Sequence, residues 1–220
     1  MDVYEALYTT RAMRRVKPDP IPEKVQARIL DAAIRAPSGG DSQGWRFLLV
    51  DDKAVIENLA PIYRECTDRL FSQVYGQRIE SAQAAPDEPD NVKFLKMYRS
   101  ARHMADHFQE YPLLLGGFIR GDRSGSSIFP AVWNAMLAAR AEGVGSAITS
   151  LLAFEKDRAF EVLGVPTDES WEFACLVPMG YPTGRWGVAP RRPAHEVAYR
   201  NQWGTPVGLE IPEPLWPPAD

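Results

Sequence analysis

Apolar side chains recur at three- and four-residue intervals in IPEKVQARILDAAIRA, where Val25, Ile29, Leu30, Ala33 and Ile34 form one stripe. The spacing predicts a helix with Pro22 in its first turn and its end near Ala36. The same interval at Val55, Ile56, Leu59 and Ile62 predicts a helix capped by Asp51 or Asp52 and divided or bent at Pro61. A short helix over Asp2–Leu7 and a helical run from Val92 to Tyr111 follow the same logic. In IFPAVWNAMLAARAEG the helix is apolar on most sides, which puts it at the centre of the fold, and Gly143 stops it. FEKDRAFEVLGVP reads as a small helix closed by Gly164 and Pro166.

Strands are fewer. FLLV (Phe47–Val50), bounded by acidic residues, is the first, and PLLLGGFIRG (Pro112–Gly121) the second, with Gly116 and Gly117 marking a bulge or a close backbone approach. WEFACLVPMGYP (Trp171–Pro182) lacks clean alternation, as expected of a strand covered on both faces, and GVGSAITSLLA holds a short strand-like run. Helices outnumber strands and the strands lie far apart in sequence, so a mixed sheet with helices on both faces is expected. QAAPDEPDN (Gln83–Asn91) is acidic and proline-bearing, and reads as an unstructured excursion over a site. The tail beyond Pro193 cannot build its own core and is expected to lie across the body or a partner subunit.

The 220 residues suffice for one substantial core, and 45% apolar with 25% charged residues describes a globular chain. A net charge of -4 offers no general attraction to nucleic acid or an anionic membrane, so any anion site must be local. Two distant cysteines, Cys66 and Cys175, read as free thiols of a reducing compartment. Without an apolar leader or span, a cytoplasmic location is the expectation.

Familiar catalytic patterns are missing. Gly143 and Gly145 follow a helix where a dinucleotide-binding glycine loop must follow a strand, and there is no phosphate-loop lysine. His103 and His107 share a helix face, but Met104 occupies the position where a zinc protease needs glutamate, and no third ligand is apparent; no metal site is expected. Neither cysteine has a neighbouring histidine, so no nucleophile is assigned.

What remains is APSGGDSQGW (Ala36–Trp45), in which Pro37 ends a helix and paired glycines bring backbone amides close to a ligand edge. By composition alone it is a polar turn. It resembles the APSxxNxQPW signature of the nitroreductase family, with Asp41 where Asn is usual and Gly44 where Pro is usual. RAMRRVKPDPIP resembles that family's basic N-terminal RRSxRxFxxxPVP block, with Thr10 in place of its first arginine and Ala12 in place of a small hydroxyl residue. PMGYPTGRWGVAPRRP resembles its late basic motif, and GVGSAITSL matches a third segment.

Spanning about residues 10–197, the resemblance implies an α+β fold on a central, mostly antiparallel sheet with a C-terminal extension around the partner of a homodimer. It implies one nitroreductase-like domain over 1–220, a substrate cap in 63–111 and a dimer-wrapping tail in 196–220. FMN is the implied cofactor and NADH or NADPH the reductant. Arg11 would take the flavin phosphate with Arg191 and Arg192, beside Ala12, Arg15 and Gly180, while Arg14 points toward the ring. Pro37, Ser38, Gly39, Asp41 and Gln43 would meet the isoalloxazine edge, and Thr149, Ser150 and Leu151 the redox edge. No side chain need be catalytic, since Arg14 supplies only electrostatic support to hydride transfer at the flavin. The implied activity is reduction of nitroaromatics or quinones. A flavin-consuming benzimidazole synthesis, a dehalogenation, another dehydrogenation, or a non-enzymatic helical binding protein stand as alternatives.

Overall fold

The computed structural model describes residues 1–122, 124–211 and 213–217. The chain forms two compact units: residues 1–11 with those from 185 onward, and Ala12–Gly184. In the first, α1 (Val3–Thr9) starts where the Asp2 carboxylate accepts the Glu5 N–H at 2.7 Å. The tail returns to that helix, with Ala189 N donating to Tyr8 O at 3.1 Å and the Tyr8 and Trp216 rings 5.9 Å apart.

The second unit is built on four strands, β1 (Trp45–Val50), β2 (Leu113–Ile119), β3 (Gly145–Ser146) and β4 (Glu172–Gly180). They lie in the order β1-β2-β4-β3, every neighbouring pair antiparallel. With α2 (Glu23–Ala33), α3 (Lys53–Gln73), α4 (Gly76–Ala84), α5 (Pro89–Asp106), α6 (Ile128–Ala141) and α7 (Lys156–Leu163), this is an α+β fold. Trp45, Leu113, Leu115, Cys175, Val177 and Met179 pack on one sheet face with Ile29 and Ala33 of α2 and Ile128, Val132 and Ala135 of α6. Val50, Leu114 and Leu176 point the other way, among Leu59, Tyr63 and Cys66 of α3, Met104 of α5 and Ala159 of α7. Both faces are covered, so every residue of β2 is buried and its sequence does not alternate.

Several boundaries differ from expectation. Pro61 does not divide α3: its ring is exposed, the helix loses one backbone bond there, and buried Ile56, Leu59, Ile62, Tyr63 and Cys66 hold both halves on the core. The supposed unstructured excursion at 83–91 is mostly helix, with only residues 85–88 between α4 and α5. Pro89 occupies the first turn of α5, where a missing N–H costs nothing. Asn91 braces the junction, accepting from Arg78 Nη1 at 2.6 Å and donating to Ala85 O at 2.8 Å. The expected bulge appears as a register shift between Gly117 and Phe118. After β3 the strand-like run reduces to one bridge, Thr149 to Leu176, and then turns into a short 3-10 helix at Leu151–Glu155. Among the described residues no helix is long and apolar enough to cross a membrane.

Candidate functional site

Residues 12–17 run extended across the ends of β3 and β4. Ala12 bridges Ser146, Met13 N donates to Ser146 O at 3.0 Å, and Lys17 N to Tyr181 O at 2.8 Å. Gly145 and Gly180 face each other in the ladder beneath this segment. A Cβ on Gly145 would lie 2.8 Å from Met13 Cβ, and one on Gly180 would lie 2.7 Å from Val16 Cβ. Glycine at both positions therefore sets how closely the Arg14-bearing segment approaches the sheet.

Two buried phenols fix the surroundings of Arg14. Tyr111 donates from its hydroxyl to Arg14 O at 3.1 Å, and Tyr63 donates to Thr149 Oγ1 at 3.2 Å while stacking on Phe108. Leu151 N–H also approaches Thr149 Oγ1, at 3.4 Å. Burial raises the pKa of Tyr63 and Tyr111, and the Arg14 charge opposes that rise at both, so each phenol stays protonated and remains a donor. Arg14, Thr149, Leu151 and Gly180, all expected at the site, are thus brought into one region, and Arg15 is tied to it through Thr183 N–H donating to Arg15 O at 3.0 Å. Ser150 is exposed beside Thr149. The sequence marks neither Tyr63 nor Tyr111 as a site residue, since they come from different elements and no spacing links them to Arg14.

At the C-terminal end of α5, the His103 and His107 rings lie 4.2 Å apart, and His107 Nδ1 is 2.8 Å from Glu110 Oε1. Burial and then the Arg15 charge lower the His103 pKa. No cluster of three or more metal-ligating side chains occurs among the described residues.

The loop from Pro37 to Gly44 is held in an uncommon shape. Gly40, Asp41 and Gln43 have φ of 58°, 52° and 46°, the left-handed region that costs non-glycine residues energy. Gln43 Nε2 donates to Asp41 Oδ1 at 2.9 Å, Gln43 N to Ser38 Oγ at 3.2 Å, and Gly39 N to Ser127 Oγ at 3.3 Å. Asp41 and Gln43 are exposed, and space is open beside Gly39 and Gly40.

Within one chain this loop and the Arg14 region stand apart. The loop leads into Trp45, which is in register with Ile119 and through it with Glu172, whereas Gly180 and Gly145 end the sheet at its other side. The span from Glu172 to Gly180 is about 26 Å at strand rise. The loop also touches Ser127, just before α6, while Ser146 follows its far end, a helix length of about 21 Å. One chain does not bring Ser38–Gln43 together with Arg14, whose segment bridges Ser146 and Pro182 at the far end.

Arg11, Arg191 and Arg192 belong to the other unit. Arg11 Nη2 donates to Arg185 O at 2.7 Å, and Arg191 Nη1 to Pro190 O at 2.8 Å. Arg191 and Arg192 border a cleft of about 370 Å³ with Tyr8, Val188, Ile211 and Leu215. Among the described residues none of Arg11, Arg14, Arg15, Arg191 and Arg192 pairs with a carboxylate, in contrast to Arg28, Arg35, Arg102, Arg120 and Arg158. Five of the basic residues singled out in the sequence thus carry uncompensated charge, as an anion site requires.

The chain is 27% identical over 207 residues to the NADH dehydrogenase of Thermus thermophilus, covering 90% of this chain and 95% of that protein. It is 29% identical over 222 residues to the 5,6-dimethylbenzimidazole synthase of Rhodospirillum rubrum, with 90% and 94% covered. A solved structure of iodotyrosine deiodinase bound to FMN and 3-iodo-L-tyrosine shares the fold with a TM-score of 0.69 at 23% identity, over 91% of this chain and 99% of that one. The family model described as "Nitroreductase family" matches residues 7–181, well over half of the sequence, and the chain belongs to the nitroreductase family.

Proposed function

We propose that this protein is a homodimeric FMN-dependent oxidoreductase in which NADH or NADPH is the reductant and electron-poor acceptors such as nitroaromatics or quinones are reduced. The observation that carries the reading is the uncompensated Arg14, held beside buried Tyr63 and Tyr111 and beside Thr149, with an exposed polar loop at the opposite end of the same sheet. The residues present fit FMN: unpaired guanidinium groups suit a dianionic phosphate, and the open left-handed turn at Gly40 leaves room for a flat ring edge. When bound, FMN supplies acceptance of hydride from the nicotinamide and its delivery to the acceptor.

The chain's own residues bind and orient. Arg14 offsets negative charge on the ring, and Tyr111 fixes the backbone that carries it. Thr149, with Tyr63 and Leu151 N–H both donating to its oxygen, has its own hydroxyl hydrogen left to donate outward. Asp41 presents an acceptor to a ring N–H, oriented by Gln43. Arg11, Arg191 and Arg192 are assigned to the phosphate. The separation of Ser38–Gln43 from Arg14 supports two copies contributing to each flavin.

Similarity to the benzimidazole synthase, at 29% identity over most of both chains, favours a flavin-consuming reaction as the second reading. Anaerobic stopped-flow absorbance at the oxidised-flavin band separates the two. Bleaching by NADH or NADPH, followed by recovery with a quinone or nitroaromatic faster than with dioxygen, is the expected outcome. No bleaching by either nicotinamide would reject the proposal and favour the second reading, and a colourless protein that fails to take up FMN would reject both.

A further inference from the structure

We propose that Asp122 and Ser127 are positioning residues that hold the Gly39–Gln43 turn in its left-handed shape for the flavin edge, an inference that rests on the functional reading above. The turn is strained. Asp41 and Gln43 both adopt positive φ, and such conformations persist where the surroundings over-determine them. The bonds within the loop join Ser38, Asp41 and Gln43 only to one another, so they cannot set its position on the fold. Among the described residues, the side-chain tether of the loop to another element is Gly39 N–H donating to Ser127 Oγ at 3.3 Å.

Ser127 is built for that tether. It is 4% exposed and sits immediately before α6. Asp122 Oδ2 accepts the Ser127 N–H at 2.7 Å. Asp122 Oδ1 accepts from Ser124 Oγ at 2.8 Å and from Ser126 N at 3.3 Å. These bonds hold the Asp122 carboxylate well below the usual range, the Ser127 backbone contribution being largest, so it remains an ionised acceptor. The Ser127 oxygen accepts the Gly39 N–H while the Ser127 N–H is held by the Asp122 carboxylate. Asp122 thus fixes the Ser127 backbone from which the hydroxyl oxygen reaches Gly39 N–H.

The test compares Ser127→Ala, Ser127→Thr and Asp122→Asn with wild type by amide hydrogen exchange in the protein as purified, then by FMN titration and the separation of KM from kcat. Ser127→Ala removes the acceptor yet leaves the backbone bond to Asp122, so α6 keeps its start. Exchange over residues 39–43 should rise about tenfold, as for the loss of one hydrogen bond, with α2 and β2 unchanged. Ser127→Thr should restore protection, and Asp122→Asn should fall between. FMN affinity should drop in step with exchange. Unchanged exchange at 39–43 in Ser127→Ala overturns the proposal, and so does raised exchange without loss of FMN affinity in protein that binds FMN. If wild type binds no FMN, the functional reading fails, while the exchange arm still decides whether the tether exists.

Discussion

Replacing Gly180 by Ala tests the close approach on which the Arg14 segment depends. A new Cβ would fall 2.7 Å from Val16 Cβ, 2.8 Å from Val16 Cγ2 and 3.2 Å from Pro112 Cδ. The first contact is with an atom fixed to the backbone, so a rotamer change cannot relieve it and the 12–17 segment must lift from β4. Lifting strains the bonds Lys17 N to Tyr181 O at 2.8 Å and Thr183 N to Arg15 O at 3.0 Å. Overpacking of this kind costs about 1–3 kcal/mol, which lowers Tm by roughly 2–4 °C per kcal/mol in a chain of this size. Urea unfolding with FMN titration gives both readouts. Val16→Gly removes both clashing Val16 atoms, so the double variant should recover part of the loss as a coupling energy of about 0.5 kcal/mol or more. Gly184→Ala is the control, since its Cβ would meet only Met13 Cε at 3.9 Å. If Gly180→Ala proved as stable as that control, the packing argument for the segment would be wrong.

Arg11→Ala should weaken FMN binding by about 1.5–3 kcal/mol, the range for charge-assisted hydrogen bonds, and should affect a dephosphorylated flavin less; an unchanged titration would remove Arg11 from the phosphate site. Burial pushes the thiols of Cys66 and Cys175 up to about 11 and about 12. The unfolded chain therefore loses protons first as pH rises above about 8.5, and stability should fall progressively from there toward pH 11. Urea midpoints at pH 8 and pH 10.5 check this, with a smaller drop expected in a variant carrying Ala at both cysteines. Truncation after Tyr199 removes Trp203, 92% exposed, and Leu215, 68% exposed, and should weaken both the dimer and flavin retention; sedimentation of a fully dimeric, flavin-loaded truncate would contradict that.

The parts of the fold legible in the sequence are those dictated by local periodicity. The stripe of α2, the Gly143 and Gly164 stops and the buried strands β2 and β4 depend on neighbours within a few residues. The division expected at Pro61 and the excursion expected at 83–91 fail for a shared cause: both regions carry helix-breaking composition, and both are overridden by contacts distant in sequence or by a proline in a tolerated position. The site divides the same way. Ser38–Gln43 and Arg14 stood out because each lies in a compact motif, but Tyr63, Tyr111, Asp122 and Ser127 act on those motifs from elsewhere in the chain. A lone tyrosine or serine carries no signal until the fold supplies its partner.

The most consequential feature is one that neither motif contains, namely that the two motifs lie at opposite ends of one sheet. If each flavin is contacted by Arg14 of one copy and Gln43 of the other, a dimer combining an Arg14→Ala chain with a Gln43→Ala chain has one doubly damaged site and one intact site. Random mixing of the two variants through unfolding and refolding should then restore about a quarter of the wild-type sites, since half of the resulting dimers are mixed and each holds one good site. Sites built within a single chain cannot recover this way, because every chain carries one lesion. Flavin retained after gel filtration, measured by absorbance against each variant refolded alone, gives the count. Mixed samples that merely average the two parents would place both motifs at the same flavin from one chain, and would overturn the strand-register argument for a shared site.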